Sequence, residues 1–392
     1  MAPILFPAPP NAEVEILRPR VRPPLDPVAA LLEAVEHPFG TPPLSRLAEA
    51  GGPIVVIVPD RSRRFPAAEL LPPLLGLLSR ARCRPVDILI AHALHRPHPP
   101  RDIGLDPVRF GAERILSHGI APARSLAFVG TVPLFGRLGI KPIRLNALAA
   151  RARLVIALGT IAPHPMAGFS GGAKSLVPGV AGAEATALNH LLMFHPKARW
   201  GLVEGNPLRE DLERAARLLP RVFCANVVFD GARRVSAVVA GDLVAAHRAG
   251  VSFARSVGDV GARKADLVFA AAEPPESASA FHALKLVVPA SMVVKPGGAV
   301  VLAAECPEGS GEMTPLSRAM FDLVTRKNLP SGVRVFFYSP YRGRLKLPSF
   351  AGRVASLEEA GERGWPKDAP RARLAILEAA DLLLPRHPAG SA

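Results

Sequence analysis

A chain of 392 residues with 49% hydrophobic and 21% charged content is globular and long enough for about two domains of ordinary size. Its formal net charge of +15 raises nucleic acid as a partner, but the arginines are scattered over the whole length. Only two tyrosines and two tryptophans are present for stacking on bases, so no nucleic acid is expected. The most apolar regions, 67–78 and 284–304, are broken by Glu69, Lys285, Lys295 and prolines, whereas a membrane span needs roughly 20 apolar residues in a row. The N-terminus has neither a basic start nor a small-residue cleavage site after a sustained apolar run, and no membrane association and a cytoplasmic location are expected. Cys83, Cys224 and Cys306 lack C-x-x-C spacing and read as buried free thiols.

In chain order, the first series alternates continuous apolar runs with helical stretches. Residues 53–59, 86–93, 153–160 and 221–229 read as strands buried on both faces, because apolar residues follow one another without period-two alternation. Between them, 67–81, 183–194 and 206–219 read as helices. In the last, Asn206 can cap, Pro207 takes the first helical position, and Leu208, Leu212, Ala215 and Leu219 recur at helical spacing. A shorter series follows after residue 262, with strands at 265–272, 297–305 and 333–340. The fold class is α/β, as two α/β domains with the active site in the cleft between them. The expected division is 1–258 and 262–373, with a boundary near 256–264 and the stretch 374–384 returning to the first domain as a helix.

Three segments carry chemistry. The loop 59–66, PDRSRRFP, follows the first strand, where α/β folds place ligand loops. Asp60 and Ser62 can orient the loop or meet a cofactor hydroxyl, and Arg63 offers a planar fork to a carboxylate. A solvated arginine-rich turn fits the same residues. The second strand ends in AHALHRPHPP, where His95 is the histidine best placed for acid/base work. His92 reads as a hydrogen-bonded core histidine and His98 as a solvated one. The third segment, 160–190, sets His164, Lys174 and His190 among small residues, with Gly168, Gly171 and Gly172 allowing close backbone approach and positive φ. Residues 168–175 nearly fit a phosphate-binding P-loop, but Ala173 stands where a glycine is required. LVPGVAG also follows, where a helix should open. A metal site using His164, His190 and His195 is a further reading, though no H-x-x-x-H or H-E-x-x-H spacing exists.

These segments together resemble the nickel-pincer lactate racemase family. The family's D-x-T-R-P is similar to Asp60–Arg64, its T-H-R-P to Leu94–Pro97, and its P-H-x-x-A-G-F-S-G-G-x-K to Pro163–Lys174. Its N-H is similar to Asn189–His190 and its Y-Q-A-x-K to Phe281–Lys285. The resemblance implies a nickel-dependent racemase or epimerase of a 2-hydroxy acid. Lys174 would hold the pincer nucleotide covalently, with Asp60, Ser62, Gly171 and Gly172 around it, and His190 would be the protein ligand to nickel. His95 and His164 would be paired acid/base groups, and Arg63, His282 and Lys285 would meet the substrate. A pincer that supplies sulfur, carbon and sulfur leaves one position of a square plane for imidazole, a geometry suited to nickel(II). Cofactor-biosynthesis proteins would be partners for maturation. Ser62, Arg64, Phe281 and His282 depart from the family pattern in substrate-contact regions and spare the cofactor motif; with Arg64 pointing into the cleft they imply a larger or more polar hydroxy acid than lactate, while a solvated Arg64 and a His282 that replaces a glutamine hydrogen bond fit the same residues.

Overall fold

The computed structural model describes the chain except residues 1–5, 9–10, 81–85, 107–113, 120–122, 135–137, 312–314, 367–370 and 388–392. It divides into two compact units, one formed by Arg22–Ala254 and the other by Met1–Val21 with Arg255–Ala392. The N-terminal segment therefore belongs with the C-terminal residues, which the sequence reading placed in separate domains.

In the Arg22–Ala254 unit a six-stranded sheet runs in the spatial order Val235–Asp242, Val222–Phe229, Leu154–Thr160, Ile54–Pro59, Val86–Ala91, Arg114–His118. All neighbours are parallel except the first pair. The three central strands are almost wholly buried, which explains their unbroken apolar composition: helices and loops cover both faces, so neither face selects polar residues. One face packs Leu31 and Val35 of the helix Pro27–Glu36 and Leu70, Leu71, Leu74 and Leu78 of the helix Ala67–Arg80 against Val56, Ile88 and Ile156. The hairpin Leu126–Pro133 with Ile140–Asn146 was not read from the sequence.

The second unit holds another six-stranded sheet, all parallel, ordered Glu13–Leu17, Arg373–Leu377, Ala265–Ala271, Val294–Ala303, Arg334–Tyr338, Ala351–Val354. Residues 374–384 are thus not a helix returning to the first domain. They form a strand between Glu13–Leu17 and Ala265–Ala271, followed by a short turn of 3-10 helix at Ala380–Leu382. The Leu- and Ala-rich composition suited a helix, but parallel partners on both sides decided otherwise. Cys224 and Cys306 are free and buried, and burial pushes their thiols up to about 12 and about 11. Cys83 lies outside the described residues.

Candidate active site

Three adjacent parallel strands deliver the candidate residues of the larger unit. Asp60 follows Ile54–Pro59, the histidine segment 92–98 follows Val86–Ala91, and the stretch from His164 to Lys174 follows Leu154–Thr160. The carboxyl ends of neighbouring strands in an open α/β sheet are where such folds gather ligand-binding loops.

Asp60 is buried, and each of its oxygens is engaged. Oδ2 lies 2.7 Å from His95 Nδ1, while Oδ1 accepts from the Ser62 hydroxyl at 2.5 Å and the Ser62 amide at 3.1 Å. Burial by itself would raise this carboxyl. The bond and charge of His95, the Ser62 hydroxyl and the Arg63 charge outweigh it and hold Asp60 below the usual carboxylate range. An ionised Asp60 can only accept, so it fixes the His95 proton on Nδ1 and makes Nε2 the basic nitrogen. His164, also buried, has the reverse arrangement. The amides of Met166 and Ala167 donate to its Nδ1 at 3.3 and 3.2 Å, which puts the ring proton on Nε2 in the neutral form. One histidine is set as acceptor and the other as donor.

The other two histidines of the 92–98 segment correct the sequence reading. His98 is buried, not solvated: its Nε2 accepts from the Arg61 amide at 3.0 Å, and its Nδ1 meets the Pro99 carbonyl at 3.0 Å. His92 is in the core as expected, packed edge-on to His98 with ring centroids 4.5 Å apart. Neither of its ring nitrogens has a hydrogen-bond partner among the described residues.

His190 sits on the helix Ala183–Leu191, and its Nδ1 is 2.7 Å from the Thr186 carbonyl. That bond takes the proton to Nδ1 and leaves a lone pair on Nε2, the state a metal-ligating imidazole needs. Burial first, and the Lys174 charge second, lower its pKa to about 4. The helix is held by its own neighbour in sequence: Asn189 donates to Asp211 at 2.7 Å, and the buried Lys141 ammonium pairs with the same carboxylate. Lys174 lies on the single 3-10 turn Gly172–Ser175.

The space that side chains would need at Gly171 and Gly172 is taken by Ile161, Asn226 and His247, and both residues have positive φ, at 74° and 58°. In this structure these glycines close the loop onto the protein. No helix opens after Ser175; the next one starts at Ala183, so the P-loop reading fails on geometry. Nor do His164, His190 and His195 form a metal site, since no group of three or more such side chains able to hold a metal ion occurs among the described residues.

Two departures from the family pattern are also placed. The Arg64 guanidinium lies over the Phe229 ring, 5.9 Å from its centroid, and its carbonyl accepts from the Thr160 hydroxyl. In the second unit, the His282 Nδ1 is 3.0 Å from the Ser279 hydroxyl, and the Lys285 ammonium is 5.6 Å from the Phe281 ring centroid.

The histidines titrate in a direction that can be measured. With folded pKa values near 4, His92 and His190 are neutral in the native state, whereas an unfolded histidine protonates near 6.5. Below that pH the unfolded chain binds more protons, so stability falls as pH drops from about 6.5 toward 4 and is flat above it. Each histidine contributes a slope approaching about 1.4 kcal/mol per pH unit. Melting temperatures of the cofactor-free protein should hold steady from pH 8 to 7 and fall steadily from pH 6 to 4.5; no fall would remove both assignments.

The larger unit thus sets a carboxylate-backed histidine, a second histidine and a lysine after the carboxyl ends of adjacent parallel strands of an α/β sheet. The family follows from comparison: residues 2–201 match the model described as lactate racemase N-terminal domain, just over half of the chain, and the chain belongs to that family. It is 34% identical over 287 residues to a lactate racemase of Thermoanaerobacterium thermosaccharolyticum and 32% identical over 287 residues to one of Lactiplantibacillus plantarum. Each alignment takes in 71% of this chain and 66% of the relative, slightly under two thirds of the relative's length. Among solved structures, the lactate racemase apoprotein from T. thermosaccharolyticum superposes with a TM-score of 0.82 at 25% identity, covering 97% of both chains. A Thermotoga maritima protein at 16% identity shares the fold with a TM-score of 0.64, over 89% of this chain and 100% of its own.

Asp60 as the partner of His95 was not read from the sequence, although the acidic residue directly after the strand was a usable signal. Arg209, Asn226 and His247, which hold the loop between His164 and Lys174, were missed as well, as was the second bond that the expected cap Asn206 makes to that loop.

Proposed function

We propose that the chain is a racemase or epimerase of a 2-hydroxy acid that works with a nickel-pincer nucleotide held at Lys174 and His190. The observation that carries this reading is a half-buried His190 whose Nδ1 is committed to the Thr186 carbonyl, with the Lys174 charge near enough to disfavour its protonation. The residues fit the group: one imidazole nitrogen and one lysine are what a ligand bringing its own metal donors requires, and no other metal cluster competes among the described residues. When bound, the cofactor would supply reversible hydride acceptance, chemistry that no side chain offers.

The chain's own residues do the rest. Arg63 holds the substrate carboxylate in bidentate fashion. His95, with the Asp60 carboxylate behind it to stabilise the imidazolium, takes the 2-hydroxyl proton, and His164 serves the opposite enantiomer. Asp60 acts here through His95, and Ser62 steadies Asp60. Gly171 and Gly172 meet the cofactor through backbone only. His282 and Lys285 are proposed substrate contacts on the family resemblance. The proteins that make the cofactor would be the maturation partners.

The test is production of the protein together with those cofactor-making proteins, followed by intact mass, nickel analysis and turnover. A covalent adduct on Lys174, one nickel per chain and exchange of Cα configuration are expected. Adduct and nickel without exchange would mark a binding homologue, and neither would end the reading. A panel of D-lactate, hydroxy diacids and aldonates identifies the substrate. The departures at Arg64 and His282 favour an acid larger or more polar than lactate, and lactate as the best substrate by kcat/KM would refute that preference.

A further inference from the structure

The stretch between His164 and Lys174 is mostly buried and, apart from the short pairing of Pro163–His164 with Gly168–Phe169 and the 3-10 turn Gly172–Ser175, irregular, so its backbone carbonyls draw further donors from elsewhere. Those donors come from two helices that follow later in the chain. Asn206, which caps the helix Pro207–Ala216, donates to the Met166 carbonyl at 2.9 Å. The His247 Nε2 is 2.9 Å from the Ser170 carbonyl. Three other carbonyls, Ala167, Phe169 and Gly171, are all served by a single side chain: Arg209 donates from Nε at 3.3 Å, from Nη2, and from Nη1 at 3.3 Å.

Arg209 is completely buried. Burying a guanidinium is costly, and desolvation lowers its pKa to about 10 against the Glu213 charge, which raises it. Glu213 stands 4.0 Å away one helical turn on, and is itself gripped by Arg248 through two bonds of 2.7 and 2.9 Å. A buried cation is tolerated here because its planar fork reaches three acceptors at once, which a lysine ammonium on a flexible stem cannot reproduce. All three acceptors lie between the proposed acid/base histidine and the proposed cofactor lysine.

We propose that Arg209 is a positioning residue for the reaction, setting the spacing of His164 and Lys174 by holding the loop that joins them, a role that rests on the function proposed above. A merely structural arginine would stabilise the whole unit; this one fixes a single loop, so its removal should loosen that loop before the sheet.

The test uses Arg209→Met and Arg209→Lys in two separate readouts. In cofactor-free protein, amide hydrogen exchange of residues 166–176 should quicken by 10-fold or more in both variants while the strands Ile54–Pro59 and Leu154–Thr160 keep their protection. Unchanged loop exchange, or an equal rise in loop and strands, would overturn the proposal whether or not the protein is a racemase. In cofactor-loaded protein, kcat should fall 10- to 1000-fold with KM changed less than about threefold, and Arg209→Lys should not rescue it; wild-type kcat in Arg209→Lys would also overturn it. If Arg209→Met does not fold, Arg209→Lys, which keeps the buried charge, carries both measurements. A wild-type protein with neither adduct nor turnover would defeat the proposed function but leave the exchange result standing.

Discussion

Lys174→Ala is expected to abolish covalent attachment of the cofactor completely while leaving a folded protein. The 3-10 turn that presents Lys174 is built from backbone contacts that its side chain does not make. The Gly172 amide donates to Asn226 at 3.1 Å, and the Ser175 hydroxyl donates to the Leu158 carbonyl at 3.0 Å. Truncation therefore removes a reactive amine and spares these contacts, and the melting temperature should move by no more than a few degrees. His190→Ala makes the contrasting case. It keeps the amine but removes the imidazole whose Nε2 lone pair is proposed to meet nickel, so the adduct should persist while nickel falls below one per chain. Intact mass and metal analysis of the two variants beside the wild type separate the roles; a full adduct on Lys174→Ala would place the attachment elsewhere.

Part of this arrangement is written in local sequence and part is not. The central strands are legible because burial on both faces leaves continuous apolar runs such as IVVIVP and LVIALGT, and the strand-end positions of Asp60, His95 and His164 follow from them. The Asn206–Pro207 start of its helix is equally plain: Asn206 caps as expected, accepting from the Leu208 and Arg209 amides. The N-terminal strand Glu13–Leu17 was missed because its charged residues stand at a sheet edge, where a short EVEIL carries little apolar signal. Arg209 was missed for a different reason. Four residues before Glu213 on an amphipathic helix, it reads as half of a solvent-exposed i,i+4 pair. Only the folded loop 167–171 reveals that its partners are carbonyls far away in sequence. The same holds for His98, which is buried and accepts from the Arg61 amide, 37 residues before it.

His95→Ala and His164→Ala should each depress racemisation in both directions. On the proposed function, one histidine would take the 2-hydroxyl proton as the Cα hydride is given up to the chemistry the cofactor would supply; with hydride returned to the opposite face of the planar keto acid, the other histidine would give a proton back to the same oxygen. Each group therefore acts once per turnover whichever way the reaction runs. The hydrogen bonds around the two rings suit this division, with Asp60 placing the His95 proton on Nδ1 and the Met166 and Ala167 amides placing the His164 proton on Nε2. General acid/base groups contribute on the order of 10²- to 10⁴-fold, and losses in that range are expected for either variant at unchanged adduct and nickel content. Asp60→Asn sharpens the assignment. An amide can still hold the ring but cannot stabilise the imidazolium, so kcat should fall, though less than in His95→Ala. Solvent-deuterium incorporation and chiral analysis of the product, run from each enantiomer in turn, give the rates. A variant that keeps wild-type rates from both starting enantiomers would reduce that histidine to a structural part of the loop.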